Sequence, residues 1–214
     1  MNALTISDSW NVDIIFTGIE HAEKLRSLDV SGTGLSNFEG LDDAPELTEL
    51  NLANNVLQGE IPWQVFDLDT LEELRVECNN LSDEIDGDDI NQLEDLKIFT
   101  AEENEITGTM PEGLADCQLL HALRLQGNQL SGRLPSFFQE MTDLVYLDLS
   151  HNFLKGSLIQ FDNHKDLRML GLSANEISGT IPATFLAKVD KESFLFAATR
   201  GNFITGTIPS VLSG

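Results

Sequence analysis

The chain has 214 residues, 12 of them Lys or Arg and 36 Asp or Glu, for a formal net charge of −24 and a pI near 4.2. An excess of acid on this scale argues against nucleic acid, whose phosphates are neutralised by basic side chains, and equally against docking on an anionic membrane surface. No apolar run approaches the ~18 residues of a membrane helix, so no direct membrane insertion is expected of this segment, and MNALTISDSW carries no signal-peptide pattern.

Taken from the start, residues 1–24 read as a degenerate capping unit. Met1, Leu4, Ile6 and Ser9 stand at the first, fourth, sixth and ninth positions of a pattern that begins again at Leu25. Trp10 would open its turn, and Ile14, Ile15, Phe16 and Ile19 would plug one end of a core that has no neighbouring unit to cover it. Residues 25–46 form a short unit, with Thr33 where later units place Asn. Residues 47–209 carry a longer unit, clearest at Leu120 to Pro135, LHALRLQGNQLSGRLP, and residues 210–214 are expected to be a truncated end.

The first-position residues Leu25, Leu47, Leu71, Leu96, Leu120, Leu144, Leu167 and Phe194 are separated by 22, 24, 25, 24, 24, 23 and 27 residues. Each unit alternates apolar and polar residues as a strand does, then breaks that alternation at an Asn and a Gly. Asn55, Asn79, Asn104, Asn128, Asn152, Asn175 and Asn202 all fall at the ninth position. An amide side chain both donates and accepts, so it can satisfy backbone groups in the turn of its own unit and of its neighbour.

The second half of the unit repeats as GEIP at 59–62, GTMP at 108–111, GRLP at 132–135, GTIP at 179–182 and GTIP at 206–209. Gly permits a tight approach, the apolar residue points inward as a second short strand, and Pro ends the hydrogen bonding. The period and the LxxLxLxxN signature identify leucine-rich repeats. With the GxIP ending, the units from Leu47 to Pro209 resemble the plant-type leucine-rich repeats of receptor-kinase ectodomains, receptor-like proteins and polygalacturonase inhibitors, a type found also in algae and protists. The resemblance implies an α/β solenoid across 1–214 as one domain: a right-handed arc with a concave parallel β-sheet and short 3₁₀ or irregular convex segments.

Two units depart from the pattern. The one from Leu71 has Asp83 and Asp86 in place of Gly and Pro, and the one from Leu144 has Ile159 in place of Pro. The paired-cysteine caps of the plant ectodomains are missing; Cys78 and Cys117 lie too far apart in register to suggest a disulfide framework. Phe66, Leu114, Phe138 and Phe185 are expected to point into the core from outer segments too short for full helices. The stretch AKVDKES adds three residues and is expected to bulge. One Asn-X-Ser/Thr triplet occurs, Asn80-Leu81-Ser82.

In this fold the third, fifth and seventh positions face solvent on the concave side, between buried fourth and sixth positions. Those columns are acidic in the first half and acquire an apolar band in the second. The expected partner-binding residues are Glu73, Arg75, Glu77, Ile98, Thr100, Glu102, Arg124, Gln126, Tyr146, Asp148, Met169 and Phe196. Exposed aromatic residues and Met beside Arg have the composition of contact hot spots.

No metal spacing, nucleophile elbow or phosphate loop is present, and no cofactor is implied. Asp148, Ser150 and His151 are near in sequence, but nothing supplies an oxyanion hole, and the acidic run from Asp83 to Ile90 fails the calcium-loop spacing. The expectation is a non-catalytic module that binds a protein or peptide on its concave face, within a receptor-like or larger protein. The alternative is an intracellular scaffold subunit contacting others through its convex side or ends. The resemblance implies an extracellular or cell-surface location, whereas the missing signal and caps leave an intracellular one open.

Overall fold

The computed structural model describes residues 2–9, 19–36, 41, 44, 46–190, 192, 196–198, 200–207 and 209–210. Trp10, Ile14, Ile15 and Phe16 lie outside them; Ile19 is within, in a 3₁₀ turn packed against the core.

Among the described residues fourteen short strands follow the repeat. Nine of them, β1 (Ala3–Thr5), β2 (Ser27–Asp29), β3 (Glu49–Asn51), β5 (Glu73–Arg75), β7 (Ile98–Thr100), β8 (Ala122–Arg124), β9 (Tyr146–Asp148), β11 (Met169–Gly171) and β13 (Phe196–Ala198), form one parallel sheet in chain order. The interleaved strands β4 (Gln58–Gly59), β6 (Asn80–Leu81), β10 (Lys155–Ser157), β12 (Glu176–Thr180) and β14 (Phe203–Thr205) form two small lateral sheets, β4 with β6 and β10-β12-β14. The first strand continues the register of the sheet, with Leu4 paired to Leu28.

Each strand of the nine-stranded sheet has an apolar centre, and the register stacks these centres. Leu28, Leu50, Leu74, Phe99, Leu123, Leu147 and Leu170 succeed one another across the sheet, none more than 1% exposed. From the other side the outer segments contribute Phe66, Leu114, Phe138 and Phe185, all buried as expected. One continuous apolar cluster therefore runs the length of the array.

Behind the sheet the ninth-position asparagines form a ladder. The Asn128 Oδ1 accepts from the Ile106 amide at 3.0 Å, while its Nδ2 donates to the carbonyls of Ala101 at 2.9 Å and Leu125 at 3.1 Å. Asn79, Asn104, Asn152 and Asn175 repeat this arrangement one turn along. At the short unit, Thr33 substitutes by donating its hydroxyl to the Val30 carbonyl and to Asn55 Oδ1. Just before the ladder, the eighth position is left-handed in every unit. Asp8, Asn54, Cys78, Glu103, His151 and Ala174 have φ between 52° and 56°, and Gly32, Gly127 and Gly201 have positive φ as well.

The lateral sheets explain the glycine of the GxIP ending. Gly108, Gly132, Gly156, Gly179 and Gly206 all have φ between 79° and 95°. A Cβ at each would meet the side chain of the fourteenth residue of the preceding unit: Glu84, Thr109, Arg133, Ser157 and Thr180, at 2.5 to 3.2 Å. Each of these five units thus lays one side chain on the bare glycine of the next.

The convex side carries single turns: α1 (Trp63–Phe66), α2 (Gly87–Ile90), and 3₁₀ turns at Glu112–Ala115 and Ser136–Gln139. Pro62, Pro111 and Pro135 precede three of them with φ from −62° to −68° and extended ψ. Asp86 takes the same conformation, φ −68° and ψ 130°, and adds a cap by accepting from the Asp88 amide at 2.8 Å. The Leu144 unit, with Ile159 instead of Pro, has only turns on this side. Just before AKVDKES the chain passes through a left-handed Leu186, φ 59°. Both cysteines are free: Cys78 exposed, and Cys117 buried with its thiol bonded to the Ile90 carbonyl. Burial pushes the Cys117 pKa up to about 12.

Candidate partner-binding face

Parallel pairing brings the third, fifth and seventh columns side by side on the concave face, so residues some 24 positions apart in sequence become neighbours. On β5, Arg75 donates from Nε and Nη2 to Glu73 Oε2 at 3.3 and 3.1 Å, closing an ion pair within one strand. Next to it lies a hollow of about 190 Å³, lined by Ser27, Asp29, Glu49, Asn51, Glu73 and Arg75. Of these, only Glu73 and Arg75 are among the expected binding residues; the others stand in the same columns, but sequence gives no depth.

Thr100 does not face solvent as expected. It is 4% exposed, and its hydroxyl donates to Glu77 Oε2 at 2.6 Å. The short side chain is overgrown by the longer glutamate of the preceding strand, and its role becomes that of holding Glu77. Glu102 and Gln126 follow Glu77 along the seventh column. Burial pushes the Glu102 carboxyl pKa up, with the Glu77 and Asp148 charges adding to the rise, while its own backbone amide and Arg124 pull it back. Glu102 Oε2 and Gln126 Oε1 are buried without a hydrogen-bond partner.

The apolar band is assembled as the columns require. Ile98, Ala122, Tyr146, Met169 and Phe196 are successive register partners. Ala122 is 7% exposed, while Ile98, Tyr146 and Met169 are half-buried. Arg124 sets its guanidinium over the Tyr146 ring, 5.7 Å from the centroid, a cation–π contact between adjacent strands. Asp148 lies over Gly171, where any Cβ would meet its carboxylate. Asp148 Oδ1 accepts from the Ser150 amide at 3.0 Å, and the Ser150 hydroxyl accepts from the Ser173 amide at 3.2 Å, so both act in the backbone turn. His151 sits exposed at the left-handed eighth position. Among the described residues no group of three or more His, Cys, Asp or Glu is placed to hold a metal ion.

A leucine-rich repeat family model matches residues 119–177, and a second leucine-rich repeat model matches residues 46–68. Receptor-like protein 39 of Arabidopsis thaliana is 32% identical over 200 residues, covering 91% of this chain and 22% of its own length. The chain spans about a fifth of the length of the curated relatives it matches. Among solved structures, the Arabidopsis receptor kinase HAESA, in complex with the peptide hormone IDA and the co-receptor SERK1, superposes with a TM-score of 0.82 at 26% identity, over 100% of this chain and 35% of that one. The leucine-rich repeat ectodomain of the Arabidopsis receptor kinase SOBIR1 is 30% identical, with a TM-score of 0.52, over 59% of this chain and 67% of that one.

Proposed function

The chain belongs to the leucine-rich repeat family, and from that membership we propose that it is a non-catalytic recognition module, binding a protein or peptide along its concave face as part of a longer receptor-like protein outside the cell. The observation that carries this reading is the band where Arg124 stacks on Tyr146 beside half-buried Met169 and Ile98. Aromatic, Met and Arg side chains, held rigid by packing yet open on one side, are the usual anchors of an interface. The HAESA complex with its peptide hormone supports a peptide or protein as the ligand class.

Capture from source-cell extracts tests this, with the intact chain as bait beside a variant carrying Arg124→Glu, Tyr146→Ala and Met169→Ala. The expected result is a partner lost from the variant while its thermal midpoint stays close to that of the parent. A partner retained by both baits moves the contact to the convex side or the ends, which is the scaffold arrangement, and overturns the concave reading.

A further inference from the structure

We propose that Asn80 is an N-linked glycosylation site whose oligosaccharide covers the lateral face of the array. It rests on the receptor-like reading in one respect: that reading routes the chain through the secretory pathway. Asn80-Leu81-Ser82 is the one Asn-X-Ser/Thr triplet in the 214 residues. The fold separates Asn80 from the many asparagines beside it. Asn79 is buried in the ladder, its Nδ2 shared between the Leu52 and Val76 carbonyls, and Leu81 is a core residue. Asn80 stands between them on β6 and therefore points outward; its backbone amide is fixed on the Leu57 carbonyl at 2.8 Å. Among the described residues nothing hydrogen-bonds to its side-chain amide.

The tenth position is open along the array, since Val56, Glu105, Gln129, Phe153 and Phe203 are exposed like Asn80. A glycan there displaces no packed group and leaves the Arg124–Tyr146 band on the concave sheet clear. In the transfer, Asn80 Nδ2 attacks the anomeric carbon of a lipid-diphosphate-linked oligosaccharide. The N–C bond forms, the C–O bond to the diphosphate breaks, the diphosphate leaves with the electron pair, and the amide gives up one proton. Nothing is oxidised or reduced.

The test is to express the full chain behind a cleavable secretion signal in a eukaryotic host, beside Asn80→Gln and Ser82→Ala. The expected result is one discrete mass increase, removed by peptide N-glycosidase with conversion of Asn80 to Asp, and lost in both variants. The thermal midpoint should be the same before and after the digestion. A folded wild-type chain whose Asn80 is unmodified overturns the proposal, and so does a mass increase that survives in Asn80→Gln. Partner capture is a separate readout: a glycosylated chain that binds nothing on its concave face sinks the functional reading and leaves this site standing.

Discussion

Single side chains in this molecule matter mostly through the backbone they satisfy. Asn128→Ala would strand the Ile106 amide and weaken the pairing of two carbonyls in the dry interior, and should destabilise the fold by about 2–3 kcal/mol in urea unfolding. The ladder was legible in sequence because a turn recurring at a fixed period needs the same donor and acceptor each time. His164 was not legible. It occupies the inner position held by Leu68, Leu93, Cys117 and Met141 in other units, is fully buried, and packs on Phe161 at 5.2 Å between centroids. Burial pushes its pKa down, while the carbonyls of Phe138, Met141 and Phe161 and the charge of Asp162 pull it partway back. A folded pKa below the unfolded one means that the unfolded chain takes up the proton first. Stability should therefore fall as pH drops below about 6.5 and continue falling until the folded pKa is passed. Urea midpoints at pH 7.5 and 5.5 should show this slope in the parent chain, reduced in His164→Leu; an unchanged slope would mean that His164 does not carry it.

At the level of the element, one position shows how two residue types reach the same backbone. Pro62, Pro111 and Pro135 fix the entry to a convex turn covalently, whereas Asp86 fixes it with a hydrogen bond to the Asp88 amide. Asp86→Ala should lower stability by about 1 kcal/mol, the typical worth of such a cap. Asp86→Pro should recover most of that loss, because its φ already suits proline; thermal melts of the two variants check it. The strand pattern told which residues share the concave columns, but it could not rank their exposure. Thr100 is covered because Glu77 is longer, and the hollow at Ser27 and Asn51 exists because their side chains are short beside Glu49 and Glu73. Periodicity assigns a face; relief depends on the sizes of cross-strand neighbours. Nor could it flag the left-handed eighth position, where Cys78, His151 and Ala174 carry none of the glycine signal.

Across the whole molecule, contacts link each unit to its immediate neighbours, and stability should follow position. Leu123→Ala, in the middle, should cost about 2–5 kcal/mol through the cavity it leaves. The same change at Leu4, partly buried on the first strand, should cost less. Hydrogen exchange of the two variants would locate the loss, spread over many units in the first case and confined to one end in the second. The step on the lateral face also bears on how such an array can grow. Between Glu84 and Gly206 every fourteenth side chain rests on a glycine in the following unit, so deleting or copying any unit that contains Gly108, Gly132 or Gly156 restores a glycine beneath its new predecessor. Copying the unit of Asp83 would instead put an aspartate beneath Glu84, whose side chain would have to shift to make room for it. Lengthening this array by extra copies of a glycine-bearing unit should therefore disturb the lateral face less than a second copy of the Asp83 unit, which thermal melts of the two extended chains would compare.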